Sequence, residues 1–439
     1  SGTTLGSARV GGSDMEKFSL WNDRKTGVNP FVPLPARVPS NRVVRAIRAA
    51  AAWVIAAIIR GPLVAILMGL LWLSSAVDDI LRPSAGAAAW AWRRTVVSPV
   101  ASALLGAIGF LSAEDVNLPP RRLALPESAA VGAAAADFPP AASRSDAASL
   151  HRVQSGDVLI CNHTSFADVL FLAARFAPVF MLSGLDGSAK TAGTWEALVA
   201  AMAPVPASVA GPAPHAPVVD ASKAHETVGS AKELPLSSTA AGAVAAAQLS
   251  GAGPLAVWLE GGTRTNGRSV IRASAAATDI AMGGASCRVR SADADVAATA
   301  SRSAVLHYVA VAYPASPAPL PVSPTHPLGS GWDALWQCMG TPYLGARVVR
   351  VAPGHEAQLG DCKPPAPHAG RAASAVGTTP LKGAGFATVP WAEAAQATLA
   401  LMVGGTTGRP VSWNSADAIE CQAFADTGAR PSRASVRTH

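Results

Sequence analysis

Uncharged apolar stretches in the first third of the chain constrain its fold most strongly. Residues 49–59 are apolar, Arg60 interrupts them, and residues 61–77 and 95–113 carry no charged side chain. As helices, stretches of about 17–19 residues measure about 25–28 Å, slightly less than the hydrocarbon core of a bilayer. They can form a hairpin that enters or spans a membrane, an amphipathic pair at its surface, or ordinary core helices. The sequence favours the membrane hairpin and leaves its depth open.

The composition also indicates a membrane surface as a partner. Only 14% of the residues are charged, against about 25% in ordinary soluble proteins. The formal net charge of +7 suits an anionic partner. No basic run is interleaved with aromatic residues, so nucleic acid is not the expected partner. Asp78, Asp79 and Arg82, followed by Trp90 to Arg94, instead form a pattern typical of an interfacial anchor of rings and cations.

The cysteines and most histidines do not indicate a metal site. The five cysteines are scattered and form no Cys-x-x-Cys pair, which predicts neither zinc nor a disulfide framework and favours a reducing, cytosol-facing environment. His215, His225 and His355 lack metal-binding spacing, so no metal is expected. His307 lies in an apolar run, which predicts a core or sheet-edge residue. No signal peptide is expected at the start of the sequence.

Short apolar runs predict the fold class. Residues 157–161, 255–259 and 304–312 have the pattern of buried strands, and residues 167–177 have that of a helix. Strands that alternate with helices are typical of α/β proteins. We therefore predict a mixed, largely parallel sheet flanked by helices, preceded by an N-terminal apolar helical membrane anchor.

Shifts in composition divide the chain into five parts. They are a polar N-terminal lead-in (1–42), membrane-anchoring helices (43–113), a linker (114–150), the α/β domain (151–425) and a disordered basic tail (426–439). Segments rich in Ala, Ser, Gly and Pro are expected to be low-complexity insertions in the α/β domain, at residues 203–250, 273–303 and 353–379.

The first segment that carries chemistry is Cys-Asn-His-Thr-Ser-Phe-Ala-Asp at residues 161–168, between a predicted strand and a predicted helix. A carboxylate at Asp168 can hold one imidazole nitrogen of His163 and leave the other free to accept a proton. No Gly-x-Ser-x-Gly elbow supplies a nucleophile. We therefore predict that His163 deprotonates a substrate hydroxyl, which then takes an acyl group directly. The alternative is a helix cap with a surface ion pair.

The second segment is Trp-Leu-Glu-Gly-Gly-Thr-Arg-Thr-Asn-Gly-Arg at residues 258–268, again after a predicted strand. Glycines expose backbone N–H groups, and the guanidinium groups of Arg264 and Arg268 can bind phosphate oxygens in a forked geometry. These features predict a phosphate-binding loop. The alternative is an Asn-Gly turn with solvated arginines.

Together the two segments resemble the glycerophospholipid acyltransferase family, which includes the lysophosphatidic acid acyltransferases. Residues 162–168 keep its Asn-His, the serine two residues after the histidine, and an aspartate separated from the histidine by four residues. Residues 262–264 are similar to the end of its Pro-Glu-Gly-Thr-Arg block, and residues 309–314 look like its later Tyr-Pro block. Residues 15–31 and 265–268 resemble its fungal-type branch.

The resemblance implies that His163 is the general base and that Asp168 orients it. It implies acyl-CoA as co-substrate without a cofactor, and a lysophospholipid, foremost lysophosphatidic acid, as the acceptor that becomes phosphatidic acid. It also implies an active site that faces the cytosol at the endoplasmic reticulum or a lipid droplet. The acceptor's phosphate is expected to bind the second segment, at Glu260, Gly262, Thr263 and Arg264.

The chain departs from the family pattern in two places. Read in register from Gly262, Gly261 stands where the family has glutamate, and Glu260 comes one position early. The family's middle block, of the Gly-x-x-Phe-x-x-Arg type, has no counterpart in residues 184–206, which offer only Lys190. Two alternatives therefore stay open: a remodelling acyltransferase with another acceptor, and a catalytically inactive protein that binds lipid or acyl-CoA.

Overall fold

The structure is a computed structural model that describes the first motif segment, the second up to Gly267, and the sheet around them. The lead-in up to residue 20, most of the predicted linker, nearly all of the three insertions and the basic tail lie outside the described residues. The described residues are 21–23, 29–32, 41–118, 153–183, 189–204, 251–267, 269–274, 306–313, 325–327, 329–341, 344–351, 395–396, 398–400, 402–403, 409–410 and 421.

A seven-stranded sheet lies at the centre of the described fold. Its strands are β1 (Phe110–Leu118), β2 (Val158–Cys161), β3 (Val179–Ser183), β4 (Ala189–Ala192), β5 (Leu255–Trp258), β7 (Leu306–Ala312) and β8 (Leu344–Val351). The order is β1-β8-β7-β2-β5-β3-β4. The β7–β8 and β3–β4 pairs are antiparallel and the other neighbouring pairs are parallel. A separate parallel pair joins β6 (Ser269–Val270) to β9 (Arg409–Pro410).

The prediction of a mixed, largely parallel sheet flanked by helices is confirmed. The strands predicted at 157–161, 255–259 and 304–312 correspond to β2, β5 and β7, which are adjacent in the sheet. Every residue of these strands is buried, because layers cover both faces of the sheet. A parallel strand buried on both faces is expected to be apolar at every position, as these three strands nearly are.

Helices precede the sheet and alternate with its strands. The helices are α1 (Arg42–Val54), the π-helical turn π1 (Ile55–Arg60), α2 (Gly61–Leu81), α3 (Gly86–Trp92), the π-helical turn π2 (Arg93–Val97), α4 (Ser98–Ile108), α5 (Phe166–Phe176), α6 (Thr194–Met202) and α7 (Gly331–Met339). Side-chain oxygens that accept from backbone N–H groups begin α1, α5 and α7, at Asn41, Ser165 and Ser330. The helix predicted at 167–177 corresponds to α5.

Alternate residues of the central strands contact two different apolar layers. Leu159 and Cys161 of β2 face the layer that contains α2, α4, α5, α6 and α7. Val158 and Ile160 face the opposite layer, which includes described residues from 395 to 403. The sheet therefore lies between two layers, and the helices of the first third of the chain belong to the first of them.

The longest apolar helix runs through α1, π1 and α2 without interruption. Its segment Ala50–Leu81 contains 32 residues, and an 18-residue window within it has mean hydropathy 2.3, so the helix is long and apolar enough to cross a membrane by length and composition. One face of α2 is buried against the domain through Val64, Met68 and Leu71. Large apolar residues are exposed on the rest of the helix, at Trp53, Ile58, Ile59, Leu63, Ile66, Leu70, Trp72, Leu73 and Ile80.

The second uncharged stretch, residues 95–113, does not form a second helix of the same kind. Its helix α4 ends at Ile108, because Gly109 adopts φ 123°, and five of its eleven residues are buried in the core, where the helix packs against α5. Residues 110–118 then form β1, which pairs in parallel with β8. The prediction of membrane-anchoring helices up to residue 113 and of a linker from residue 114 is therefore wrong in two respects. Helix α4 packs in the core, and residues 114–118 belong to β1.

Two arginines that the sequence assigned to the membrane region are bonded within the protein. The Arg60 guanidinium donates to the carbonyl oxygens of Ile108, Met339 and Thr341. Arg93 is fully buried, and its Nε lies 3.1 Å from Oδ1 of Asp78. The expectation that Arg93 belongs to an interfacial anchor is wrong, because the buried Asp78 carboxylate holds it inside the fold.

Candidate active site

The predicted site residues meet at one edge of the sheet. Strands β2, β5 and β7 are neighbours and run parallel, so the residues that follow them emerge side by side. His163 follows β2, Glu260 follows β5 and Tyr313 follows β7. Asn162 joins two of these strand ends, because its side chain both donates to the carbonyl of Val311 and accepts from its N–H.

His163 and Asp168 form a buried pair. Nδ1 of His163 lies 3.4 Å from Oδ2 of Asp168, and the two side chains are 2% and 0% exposed. Because the carboxylate faces Nδ1, Nε2 is the nitrogen left to accept a proton. The structure therefore excludes the alternative of a surface ion pair, whereas the helix cap of that alternative is present.

Asp168 is held from several sides at once. It is the third residue of α5 and closes a capping box with Ser165. Its Oδ2 accepts from the backbone N–H groups of Thr164 at 2.6 Å and Ser165 at 2.8 Å. Its Oδ1 accepts from the Tyr313 hydroxyl at 2.5 Å. The helix cap fixes the carboxylate that faces His163, so one residue serves the fold and the pair together.

Tyr313 is a site residue that the motif analysis named only as part of a block similar to the family's. Burial raises the pKa of its hydroxyl well above the usual value, and the neighbouring Asp168 carboxylate raises it further. Tyr313 therefore stays protonated and donates its hydrogen bond to Asp168. The position of Tyr313 after a predicted apolar strand was the sequence signal for this contact.

The surroundings of His163 keep its imidazole neutral. Burial lowers the pKa of His163 below 6.5, and the nearby Arg264 charge lowers it further, whereas Asp168 opposes both effects. Its ring stacks on the Trp258 indole, with ring centroids 4.5 Å apart and an interplanar angle of 24°. A neutral imidazole can accept a proton, and an aromatic face stabilises the cation that results.

Glu260 reaches His163 in spite of its early position in the motif. Its Oε2 accepts from the backbone N–H of His163 at 2.7 Å, and its Oε1 accepts from Ile271. Gly261 and Gly262 follow with φ 67° and 84°, a conformation that glycine adopts without strain, and this pair accommodates the extra residue. Burial raises the pKa of Glu260 to about 8. Glu260 thus positions the histidine backbone, and its carboxylate is fully buried.

Arg264 is bonded to backbone carbonyls at the end of α6 and in the segment just before α7. Its Nε donates to His326, its Nη1 to Ala201 and Ala203, and its Nη2 to Gly329. Four of the five N–H groups of a guanidinium are used in this way within the described residues. Burial lowers the pKa of Arg264 to about 10, so the group stays cationic at neutral pH. Arg264 therefore clamps the loops around the site and keeps only one N–H for a phosphate.

The other predicted phosphate-binding residues differ in their accessibility. Gly262 is exposed, whereas Thr263 is buried and its N–H donates to the Glu260 carbonyl at 3.4 Å. Arg268 lies outside the described residues. Lys190, the only cation of the segment expected to hold the missing middle block, is exposed and pairs with Glu196.

Asn266 joins the second motif to the N-terminal part of the chain. Its side-chain amide donates to the carbonyls of Asn29 and Val32 at 2.8 and 2.9 Å, and its backbone N–H donates to Pro30. Phe31, between these partners, is fully buried. The two parts of the sequence that resemble the fungal-type branch thus contact each other, a contact that the motifs gave no means to predict.

Other chemistry at this edge of the sheet is disfavoured. Burial and the neighbouring Asp168 raise the pKa of Cys161 well above the usual range, so its thiol is a poor nucleophile. The Ser165 hydroxyl accepts from the Ala167 N–H as part of the helix cap. Within the described ranges, no three His, Cys, Asp or Glu side chains are grouped as metal ligands.

Comparisons of the chain with protein-family models, with curated proteins and with solved structures found no match. The class of site is therefore defined by the geometry alone: a buried histidine–carboxylate pair at the carboxyl edge of a parallel sheet.

Proposed function

We propose that the protein is an acyl-CoA-dependent O-acyltransferase that acylates the free hydroxyl of a lysophospholipid, with lysophosphatidic acid as acceptor and phosphatidic acid as product. The observation that carries this proposal is the buried His163–Asp168 pair, whose carboxylate is fixed by two backbone N–H groups and by Tyr313. The resemblance of the two motif segments to the glycerophospholipid acyltransferases supplies the substrate class.

In the proposed mechanism, His163 acts as a general base. Nε2 takes the proton of the acceptor hydroxyl while the oxygen attacks the thioester carbonyl carbon of acyl-CoA. Asp168 and the Trp258 ring stabilise the imidazolium that forms. The tetrahedral intermediate then collapses, the carbon–sulfur bond breaks, and the imidazolium returns the proton to the leaving thiolate. The products are an ester and free coenzyme A.

Direct transfer to the substrate hydroxyl is preferred to a covalent acyl-enzyme. The nucleophile candidates next to His163 are Cys161 and Ser165, and both are fully buried and bonded within the fold. A thiol whose pKa is raised gives little thiolate at neutral pH. The substrate hydroxyl therefore takes the role that a serine has in a hydrolase.

The bonding of Arg264 affects which acceptor head group the site can hold. A guanidinium that is already bonded to four carbonyls holds a phosphate less strongly than a free one. This observation favours, as a second candidate, a remodelling acyltransferase whose acceptor carries a larger head group. The same observation supports a catalytically inactive protein that binds lipid or acyl-CoA, whereas the buried His163–Asp168 pair argues against that reading.

We propose that the exposed apolar face of α1, π1 and α2 lies against the cytosolic leaflet of a membrane. Four of its large apolar side chains are between 46% and 74% exposed: Trp53, Ile66, Leu70 and Ile80. The exposure of so long an apolar row to water is energetically unfavourable. The opposite face of α2 packs on the domain, which favours a helix that lies in the membrane surface. The endoplasmic reticulum and lipid droplets are proposed from the family resemblance alone.

The test is acyl transfer by membranes that contain the protein, with labelled oleoyl-CoA and a panel of lysophospholipids. We expect transfer to lysophosphatidic acid that His163→Ala abolishes and that His307→Ala, a matched change at another buried histidine, preserves. Transfer to a different acceptor would select the remodelling enzyme. Transfer to no acceptor, from folded and membrane-bound protein, would overturn the enzymatic proposal and leave the lipid-binding one.

A further inference from the structure

Helix α7 carries a pair of exposed tryptophans that the proposed function does not use. Trp332 and Trp336 are 53% and 44% exposed, and their spacing of four residues puts both on one face of the helix. The other face of α7 is buried in the helical layer through Leu335 and Cys338. Tryptophan is costly to leave in water, since its ring is one of the largest apolar surfaces that a side chain offers.

The tryptophan face of α7 continues onto the long apolar helix. Gly340 lies four residues beyond Trp336, and a Cβ there would be 3.1 Å from Cβ of Ala52 in α1. The Arg60 guanidinium, at the end of π1, donates to the carbonyl of Met339 at 3.1 Å. The row of Trp332, Trp336 and Gly340 therefore runs into α1 beside Trp53, which is itself 57% exposed.

We propose that Trp332 and Trp336 form a second lipid contact, at the boundary between headgroups and acyl chains of the leaflet that the α1–α2 face meets. This inference rests on the part of the proposed function that assigns that face to a membrane. Indole rings prefer this boundary, because the ring is apolar and its N–H bonds to headgroups. Asp333 and Gln337 are exposed next to the rings, and such polar groups limit the depth of the contact to the headgroup region.

The same helix is fastened to the candidate active site. Arg264 donates to the carbonyls of His326 and Gly329, just before α7 begins. A Cβ on Gly331 would be only 2.5 Å from the Cα of Met202, so the first turn of α7 is closely packed on α6. A lipid contact on α7 would therefore hold the segments around Arg264 in a fixed orientation to the bilayer. An acceptor with one acyl chain resides in that bilayer.

The proposal is tested with a fluorescent label next to the tryptophans. Gln337→Cys, in a variant with Cys287 and Cys362 replaced by serine, carries an environment-sensitive fluorophore. The native Cys161, Cys338 and Cys421 are buried and have a raised pKa, which protects them from labelling. Lys190→Cys, at an exposed position on β4, is the matched control. Each labelled protein is mixed with phosphatidylcholine vesicles, with and without phosphatidic acid.

We expect a blue shift of the label at 337 on addition of vesicles, with stronger quenching by lipids brominated near the headgroup than by lipids brominated near the chain end. The label at 190 should not shift. Trp332→Ala/Trp336→Ala should abolish the shift at 337 and weaken vesicle binding by about tenfold, with unchanged thermal unfolding. Protein that pellets with vesicles without a shift at 337 would overturn the inference, as would protein that does not pellet.

The failure of this inference is distinguishable from failure of the proposed function. Pelleting and the label report lipid contact without any acyl transfer, so an inactive lipid-binding protein would still give the expected shift. Conversely, acyl transfer that depends on His163 in a protein whose label at 337 stays in water would keep the enzyme and reject the contact on α7.

Discussion

Two buried histidine–aspartate pairs lie at opposite ends of the same strand, β2. Asp157 precedes the strand and its Oδ2 lies 3.2 Å from Nε2 of His307, whereas His163 follows the strand and faces Asp168 at 3.4 Å. All four side chains are at most 2% exposed. By distance and burial alone, the two pairs are equivalent.

The two pairs differ in their position in the sheet. His307 is inside β7, opposite Leu159 of β2, so the strand backbone fixes it within the core. His163 lies beyond the strand end, where Glu260, Trp258 and Tyr313 converge on the same pair. Loops and helix N-termini gather at the carboxyl edge of parallel strands and leave room for a substrate there. The location of a histidine–carboxylate pair, rather than its presence, therefore indicates a candidate active site.

The largest expected effect separates the two histidines by activity. His163→Ala should lower the rate of acyl transfer by about 10³-fold or more, because it removes the proposed general base. His307→Ala should leave the rate per folded molecule within about twofold, a margin that is small beside general-base effects. The measurement is acyl transfer with labelled acyl-CoA, normalised to folded protein. Equal losses in the two variants would show that the position of His163 at the strand end gives it no special role.

The reverse separation is expected in stability. His307→Ala leaves the Asp157 carboxylate buried without its histidine partner and should lower the free energy of unfolding by about 2–4 kcal/mol. Urea unfolding followed by tryptophan fluorescence measures the change. Leu159→Ala in β2 is a control for simple loss of core volume. A His307→Ala protein as stable as the parent would show that Asp157 does not depend on this pair.

Arg264→Lys tests whether the second motif clamps loops or binds phosphate. A lysine keeps the charge but cannot reach four carbonyls at once, so we expect a loss of about 2 kcal/mol of stability together with lost activity. If Arg264 serves mainly the acceptor phosphate, the variant should unfold like the parent, and only the KM for the acceptor should rise. Lys190→Ala, which breaks an exposed ion pair, is the control.

Tyr313→Phe sharpens the role of the pair at the carboxyl edge. Loss of the bond to Asp168 should lower kcat by about tenfold, equivalent to about 1.4 kcal/mol, because the carboxylate loses one of the groups that hold it. The KM for both substrates should stay unchanged. A fall in kcat that raising the pH restores would show that Tyr313 acts through the pKa of His163. Tyr308→Phe, within β7, serves as control.

The smallest expected effect is in the pH profile. Burial lowers the pKa of His163 below 6.5, so more than half of its imidazole is already the free base at pH 6.5. The rate should therefore change by less than about twofold between pH 6.5 and 8 and fall only at lower pH, as the base takes a proton. A half-maximal rate above pH 6.5 would contradict the assigned burial. The profile is measured as kcat/KM for the acceptor, with acyl-CoA held at a saturating concentration.

The sequence was sufficient to predict the central strands and the pairing of His163 with Asp168. Strands β2, β5 and β7 are buried on both faces, so their apolar runs carry a strong local signal, and α5 has its capping serine. Strand β1 was missed because its polar residues follow an apolar helix and look like the start of a linker. Its pairing with β8, more than two hundred residues later, leaves no local signal.

The site was predicted in part. The roles of Glu260 and Arg264 depend on backbone groups far from them in the sequence, and neither a backbone N–H nor a backbone carbonyl has a signature in a sequence. Arg93 was expected at an interface, because its partner Asp78 lies on another helix and the pairing arises only in three dimensions. The contact between Asn266 and Asn29 was missed for the same reason.

The arginine that interrupts the first apolar stretch also bears on the order of events during synthesis. Two of the carbonyl partners of Arg60 belong to residues that follow it by 279 and 281 positions. At about 5–20 residues per second, a ribosome needs roughly 15–60 s to make that much chain. For that time Arg60 lacks two of its three carbonyl partners, and the apolar helix can pack only on the helices already made, so its exposed face meets lipid or a chaperone before the sheet is complete.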